Sequence, residues 1–280
     1  MSTVLEMIKD AARESTSPLM DEIVCARSEV GITEFADLDS ARRLRFLNFP
    51  VSAIGCLLSD NFSDPASSSD FLKSPRTWRQ NTMLLENQAW DENTLNEFLE
   101  PLKDPDTLGP NCSERLKFQA IGGLVISDNY PERVVAARTW LIHTRGDEAQ
   151  LVNANVSLRN VISGMKKLAI RALNDNCTIA VCPHSAFSRI PLEIEGERLR
   201  CVIRLGNDDF YGRTSAGVFP VTLDRSPSDL LLWLRGEPAS RGYKGWIDVP
   251  HLLLRKMLDD SWLGEEIPLE ENSQRGDVLR

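Results

Sequence analysis

The feature that most constrains this chain is a change of hydrophobic period part-way along it. Apolar residues recur at helical spacing through residues 3–61, in Val4, Ile8 and Ala11 and then in Leu19 and Ile23, which predicts three or four short helices. From residue 116 to 158 the pattern turns to alternation and β-branched runs. It predicts strands at 118–126, 134–143 and 151–158, joined by Asp-Asn-Tyr-Pro and Arg-Gly-Asp-Glu turns into an antiparallel meander. Residues 160–173 return to helical spacing through Val161, Met165, Leu168 and Leu173, so one helix is expected to cross the sheet. Further strands are expected at 178–182, 190–195, 198–205 and 217–223. Pro227 and Pro250 open short helices, and a polar tail from Gly264 is expected to fray.

Charge changes where the period changes. Residues 1–114 hold 10 Lys and Arg against 20 Asp and Glu, residues 115–213 hold 14 against 10, and residues 214–280 hold 8 against 11. The expectation is an α+β protein: an acidic helical region (1–113), a mildly basic, mainly antiparallel β core with one crossing helix (114–226), and C-terminal helices with an acidic tail (227–280). The 280 residues with 42% apolar content can build a substantial core. Within the first region, the Ser- and Asp-rich residues 59–74 read as a solvated loop. Ser74-Pro75 reads as the start of a helix to Leu85, and Asp91 as the cap of another to Leu99.

A net charge of −9 argues against wholesale non-specific attraction to nucleic acid or anionic membrane, so any polyanion site must be local. The N-terminus has acidic residues where a secretory leader has an apolar run, and no stretch approaches the roughly 18 apolar residues of a membrane span. A cytoplasmic or nuclear protein with reduced cysteines is expected.

Six irregularly spaced cysteines give no disulfide framework. Cys177, Cys182, His184 and Cys201 match no zinc pattern, and residues five apart on a strand point to opposite faces, so no metal or cofactor is expected. A catalytic Cys182 needs a base, and Cys182-Pro183-His184 is too tight for His184, which leaves His143 or His251. Gly122-Gly123 lacks a phosphate-loop context and reads as a bulge or a close backbone approach. Asp208-Asp209 reads as ordinary turn acids, and the two Arg-Gly-Asp tripeptides as a turn and a tail.

Two surfaces remain. The segment Arg241, Tyr243, Lys244 and Trp246 carries residue types enriched at interface hot spots and is too polar and glycine-rich to be core throughout. Lys166, Lys167 and Arg171 on the crossing helix, with Arg189 and Arg204, form a candidate basic face for RNA or another anionic surface. In the hairpin around Gly196-Glu197, pairing is expected between Glu195 and Arg198 and between Glu193 and Arg200. The leading expectation is a non-enzymatic protein that binds itself or another protein. RNA or anionic-surface binding stands second, and a cysteine-dependent hydrolase or transferase third. Helices, a β core and an acidic tail are similar in outline to several viral movement and matrix proteins, with no motif shared.

Overall fold

The computed structural model describes residues 4–26, 31–37, 43–57, 76–85, 116–183, 193–194, 196–207, 209–221 and 246–266. The chain is an α+β protein and divides into two units interleaved in sequence. The first is made of Met1–Arg27, Arg42–Leu158 and Asp259–Arg280, the second of Ser28–Ala41 and Arg159–Leu258. The sequence-derived boundaries at 113/114 and 226/227 lie outside the described residues.

The first unit is built on a seven-stranded sheet of order β2-β7-β5-β6-β3-β1-β4. Its strands are β1 (Ile23–Ala26), β2 (Arg43–Pro50), β3 (Ile54–Leu57), β4 (Arg76–Thr77), β5 (Lys117–Ile121), β6 (Leu124–Ser127) and β7 (Gln150–Arg159). β1 runs parallel to β3 and β3 parallel to β6, while β2–β7, β5–β6 and β1–β4 are antiparallel. The helical expectation for residues 3–61 is therefore corrected after the first helix. Helix α1 (Val4–Glu14) buries Leu5, Ile8, Ala11 and Ala12 at helical spacing, as read. Beyond it, β1 and β3 are four residues each, too short to establish a period, and all four residues of β3 are buried; in the longer β2, buried Leu47 and Phe49 alternate with half-buried Asn48 and Pro50.

The largest correction is at 134–143, expected as a strand and found inside helix α3 (Pro131–Arg145). Val134, Val135, Ala136, Ala137, Arg138, Thr139, Leu141 and Ile142 are all buried. A helix covered on nearly every side has no polar face to reveal its period, and its β-branched residues imitate a strand. Helix α2 (Trp78–Met83) starts later than Ser74-Pro75 predicts. Thr77 is its N-cap, accepting from the Gln80 amide while the Gln80 side chain accepts from the Thr77 amide. The expected helix 91–99 lies outside the described residues.

α1, α2 and α3 pack on one another and share the core with Leu47, Phe49, Val51, Ile54, Phe118 and Val125 of the sheet and its turns. Gly122-Gly123 is a two-residue hairpin turn joining β5 to β6, with Gly122 at φ +56°, rather than a bulge. Trp262, on α6 (Ser261–Glu266), donates from Nε1 to the Gly123 carbonyl at 3.0 Å and packs 5.8 Å from Phe49. Chain just beyond the expected start of the frayed tail is thus still helical.

The second unit holds a five-stranded antiparallel sheet of order β13-β12-β11-β8-β14. Its strands are β8 (Ile179–Pro183), β11 (Cys201–Leu205), β12 (Asp209–Arg213), β13 (Val218–Pro220) and β14 (Ile247–Asp248). A separate two-stranded ribbon pairs β9 (Glu193–Ile194) with β10 (Glu197–Arg198). Helix α4 (Ser163–Asn174) matches the expected crossing helix and packs on α5 (His251–Leu258), which follows Pro250 as read. The helix expected at 227–234 lies outside the described residues. A short 3-10 helix, Gly31–Phe35, packs on β8. A Cβ on Gly31 would stand 2.8 Å from the Val181 Cβ, so the close approach needs glycine.

The hairpin register is corrected. Glu197 pairs with Ile194 and Arg198 with Glu193, so the turn sits one residue earlier than a Gly196-Glu197 turn would place it. Gly196, at φ +80°, is the turn residue that takes the left-handed conformation.

Candidate protein-interaction surface

In-register pairing lays Asp248, Ala180, Arg204 and Phe210 in one row across β14, β8, β11 and β12, on one face of the five-stranded sheet. Trp246, two residues before Asp248, joins them. The Arg204 guanidinium lies 5.2 Å from the centre of the Trp246 ring, and Phe210 packs against the same indole at 6.2 Å. Asp248 holds the Arg204 guanidinium from the side at 3.7 Å. The small Ala180 between them leaves room for the arginine stem. Beneath this platform, Cys182, Leu199 and Val202 form a small buried cluster against which Trp246 and Val221 pack.

One sheet row, the ring contacts of Trp246 and an ion pair thus assemble the platform. A cation held over an indole is worth about 0.5–2 kcal/mol, and here it fixes the rotamers of both side chains. Of the four residues expected at this interface, Trp246 is the one described. Arg241, Tyr243 and Lys244 lie outside the described residues. Sequence reading missed Phe210 and Asp248 as its neighbours, because β12 and β14 meet it only through the pairing of strands far apart in the chain.

The five residues proposed for RNA are not gathered into one face. Lys166 and Lys167 are exposed on α4. Arg171, on the same helix, donates to the Tyr211 hydroxyl at 2.9 Å and the Asp209 carboxylate at 2.7 Å, with Asp175 at 3.4 Å. Tyr211 and the two carboxylates raise its affinity for its proton. Asp209 and Tyr211 alternate with Phe210 along β12, so Arg171 acts on the opposite face of the sheet from Arg204. Arg204 has Asp248, and Arg189 lies outside the described residues.

Cys182 and Cys201 of the second unit are poor nucleophiles. Burial pushes Cys182 up to about 11 and Cys201 up to about 12, so the thiolate is scarce near neutrality. His251 is engaged through Nε2 with the Cys177 carbonyl at 2.9 Å, and His143 is exposed near the end of α3. No group of three His, Cys, Asp or Glu among the described residues could hold a metal ion. None of the described helices is long and apolar enough to cross a membrane. Comparison with protein-family models, with curated proteins and with solved structures finds no match.

Proposed function

We propose that this protein acts by binding a protein partner, a second copy of itself in the first instance, through the Trp246 platform. The reading rests on one observation: Trp246, Arg204 and Phe210 are assembled on one sheet face, with Asp248 neutralising the arginine. Tryptophan and arginine dominate interface energetics, and a site whose rotamers are already set loses less entropy on binding. The adjoining Arg241, Tyr243 and Lys244 extend the same composition along the chain.

The opposite placement of Arg171 and Arg204 weakens the RNA reading, and the raised thiols weaken the cysteine-enzyme reading. Light-scattering mass at rising protein concentration, at low and high salt, tests the proposal. A discrete oligomer is expected, indifferent to salt and to a short single-stranded RNA, and reduced to monomer by Trp246→Ala with its circular dichroism retained. An oligomer unchanged by W246A, or a monomer throughout, overturns self-association. A complex with RNA that dissolves steeply with salt replaces the proposal with the nucleic-acid reading.

A further inference from the structure

The first unit places two cysteines side by side. Cys25 of β1 and Cys56 of β3 are direct partners in a parallel pair of strands, so their side chains leave the same face of the sheet. Neighbouring strands stand roughly 4.7–4.9 Å apart, inside the roughly 4.4–6.8 Å between Cα atoms that a disulfide spans. Closure asks the Cβ atoms to draw in by about half an ångström to one. Neither cysteine is in a disulfide, and they differ in access: Cys25 is half-buried, Cys56 fully buried.

The other cysteines on paired strands make the contrast. Cys182 of β8 stands opposite Val202, and Cys201 of β11 opposite Pro183, one step out of register. Their side chains therefore leave opposite faces, and no bond can join them without unpairing the sheet.

We propose that Cys25 and Cys56 are a redox modification site, a dithiol that hydrogen peroxide converts to a disulfide between β1 and β3. The sulfur of Cys25, the less buried of the two residues, attacks one peroxide oxygen. The O–O bond breaks, the departing oxygen leaves as water, and Cys25 becomes a sulfenic acid. The Cys56 sulfur then attacks the Cys25 sulfur; the S–O bond breaks, a second water leaves and the S–S bond forms. Two thiols lose two electrons and two protons, and one peroxide is reduced to two waters. The half-buried cysteine is the one oxidised first, and its buried neighbour resolves it before further oxidation. The bond ties off the stretch of chain containing Ser28–Ala41, the segment that belongs to the second unit.

The test treats the reduced full-length protein with a few equivalents of hydrogen peroxide, blocks the remaining thiols with iodoacetamide under denaturing conditions, and maps the non-reduced digest by mass spectrometry. A linked peptide pair containing Cys25 and Cys56 is expected, two hydrogens lighter than the sum of its parts and lost on treatment with dithiothreitol. Cys25→Ser should abolish the link, and Cys182→Ser should leave it intact. Because the decisive mapping is done on the unmodified sequence, a folding defect in a variant does not cloud it. The proposal fails if both cysteines are recovered alkylated, if Cys25 is recovered as sulfinic acid with Cys56 alkylated, or if Cys25 is linked to another cysteine.

Discussion

Arg138 in the first unit and Arg213 in the second are both buried, but they are held by different partners. Arg138 lies 4.2 Å over the Trp78 ring and donates to the carbonyls of Val51 at 3.2 Å and Leu19 at 3.0 Å. Its nearest carboxylate, Glu22, is 3.4 Å away. Arg213 meets the Glu34 carboxylate directly and donates to the Ala36 carbonyl at 2.8 Å. The first arrangement shares one charge among two carbonyls on short 3-10 helices, the Trp78 ring on α2 and the Glu22 carboxylate. The second is an ion pair, and both its acceptors come from residues 34–36, the short stretch that the second unit draws from early in the chain. Arg138 therefore organises the inside of a core, while Arg213 fastens a remote segment to a sheet.

That contrast predicts effects of different size in different places. Arg138→Ala should cost about 3–5 kcal/mol, because it opens a void beside Trp78, strands the buried Val51 carbonyl and the part-buried Leu19 carbonyl, and leaves Glu22 without its arginine. Arg138→Met fills the void and leaves the carbonyls, so about 1–3 kcal/mol is expected. Denaturant melts followed by hydrogen exchange should place the loss in α3 and β6. Equal losses for the two variants would mean that the polar contacts, not the volume, set the cost. Arg213→Ala should cost less, about 2–3 kcal/mol, because the Glu34 side chain, 32% exposed, can return to water. Its loss should appear in β11 and β12. If R213A instead loosened α3, the division of labour between the two arginines would be wrong.

The same contrast between a self-contained element and one defined by remote partners decides how much the sequence could reveal. α4 was legible because Met165, Leu168, Ala169 and Ala172 are buried while Lys166, Lys167 and Ile170 stay outside, so one face of the helix is polar enough to show its period. α3 was not, because neighbours cover it almost all round and even its one core cation is buried. The hairpin turn at Gly196 was legible to within one residue, but register is fixed by pairing and not by the turn glycine alone. At the candidate surface Trp246 could be named from its local composition. Its pairing with Arg204, Phe210 and Asp248 depends on which strands become neighbours, and local periodicity carries no record of that.

Gly31→Ala probes the remote segment from its other end. The added methyl would meet the Val181 Cβ at 2.8 Å, on a strand held between two others and unable to retreat. Overpacking of this kind costs about 1–3 kcal/mol. Combined with R213A, it should cost less than the sum of the two, because both act by releasing the same segment. Strict additivity in a double-mutant cycle would mean that Glu34 and Gly31 are held independently.

The smallest effect is a pH dependence at Arg138. Burial pushes Arg138 down to about 9, well below the ordinary arginine range, against the pull of Glu22 and Asp147. Below pH 9 both the folded and the unfolded chain carry the charge, and folding bears the full burial penalty. Above about 9 and below the ordinary arginine range, the unfolded chain binds more protons than the folded one, so stability attributable to this group must rise with pH. From pH 8.5 to 10 the rise is about 1 kcal/mol. It should be read as the difference between the unmodified protein and R138M, since lysines and tyrosines titrate in both and cancel. The carbonyls and the Trp78 face favour the charged form and oppose this rise. A flat difference across that window would show that these neutral contacts hold the guanidinium as firmly protonated as in water.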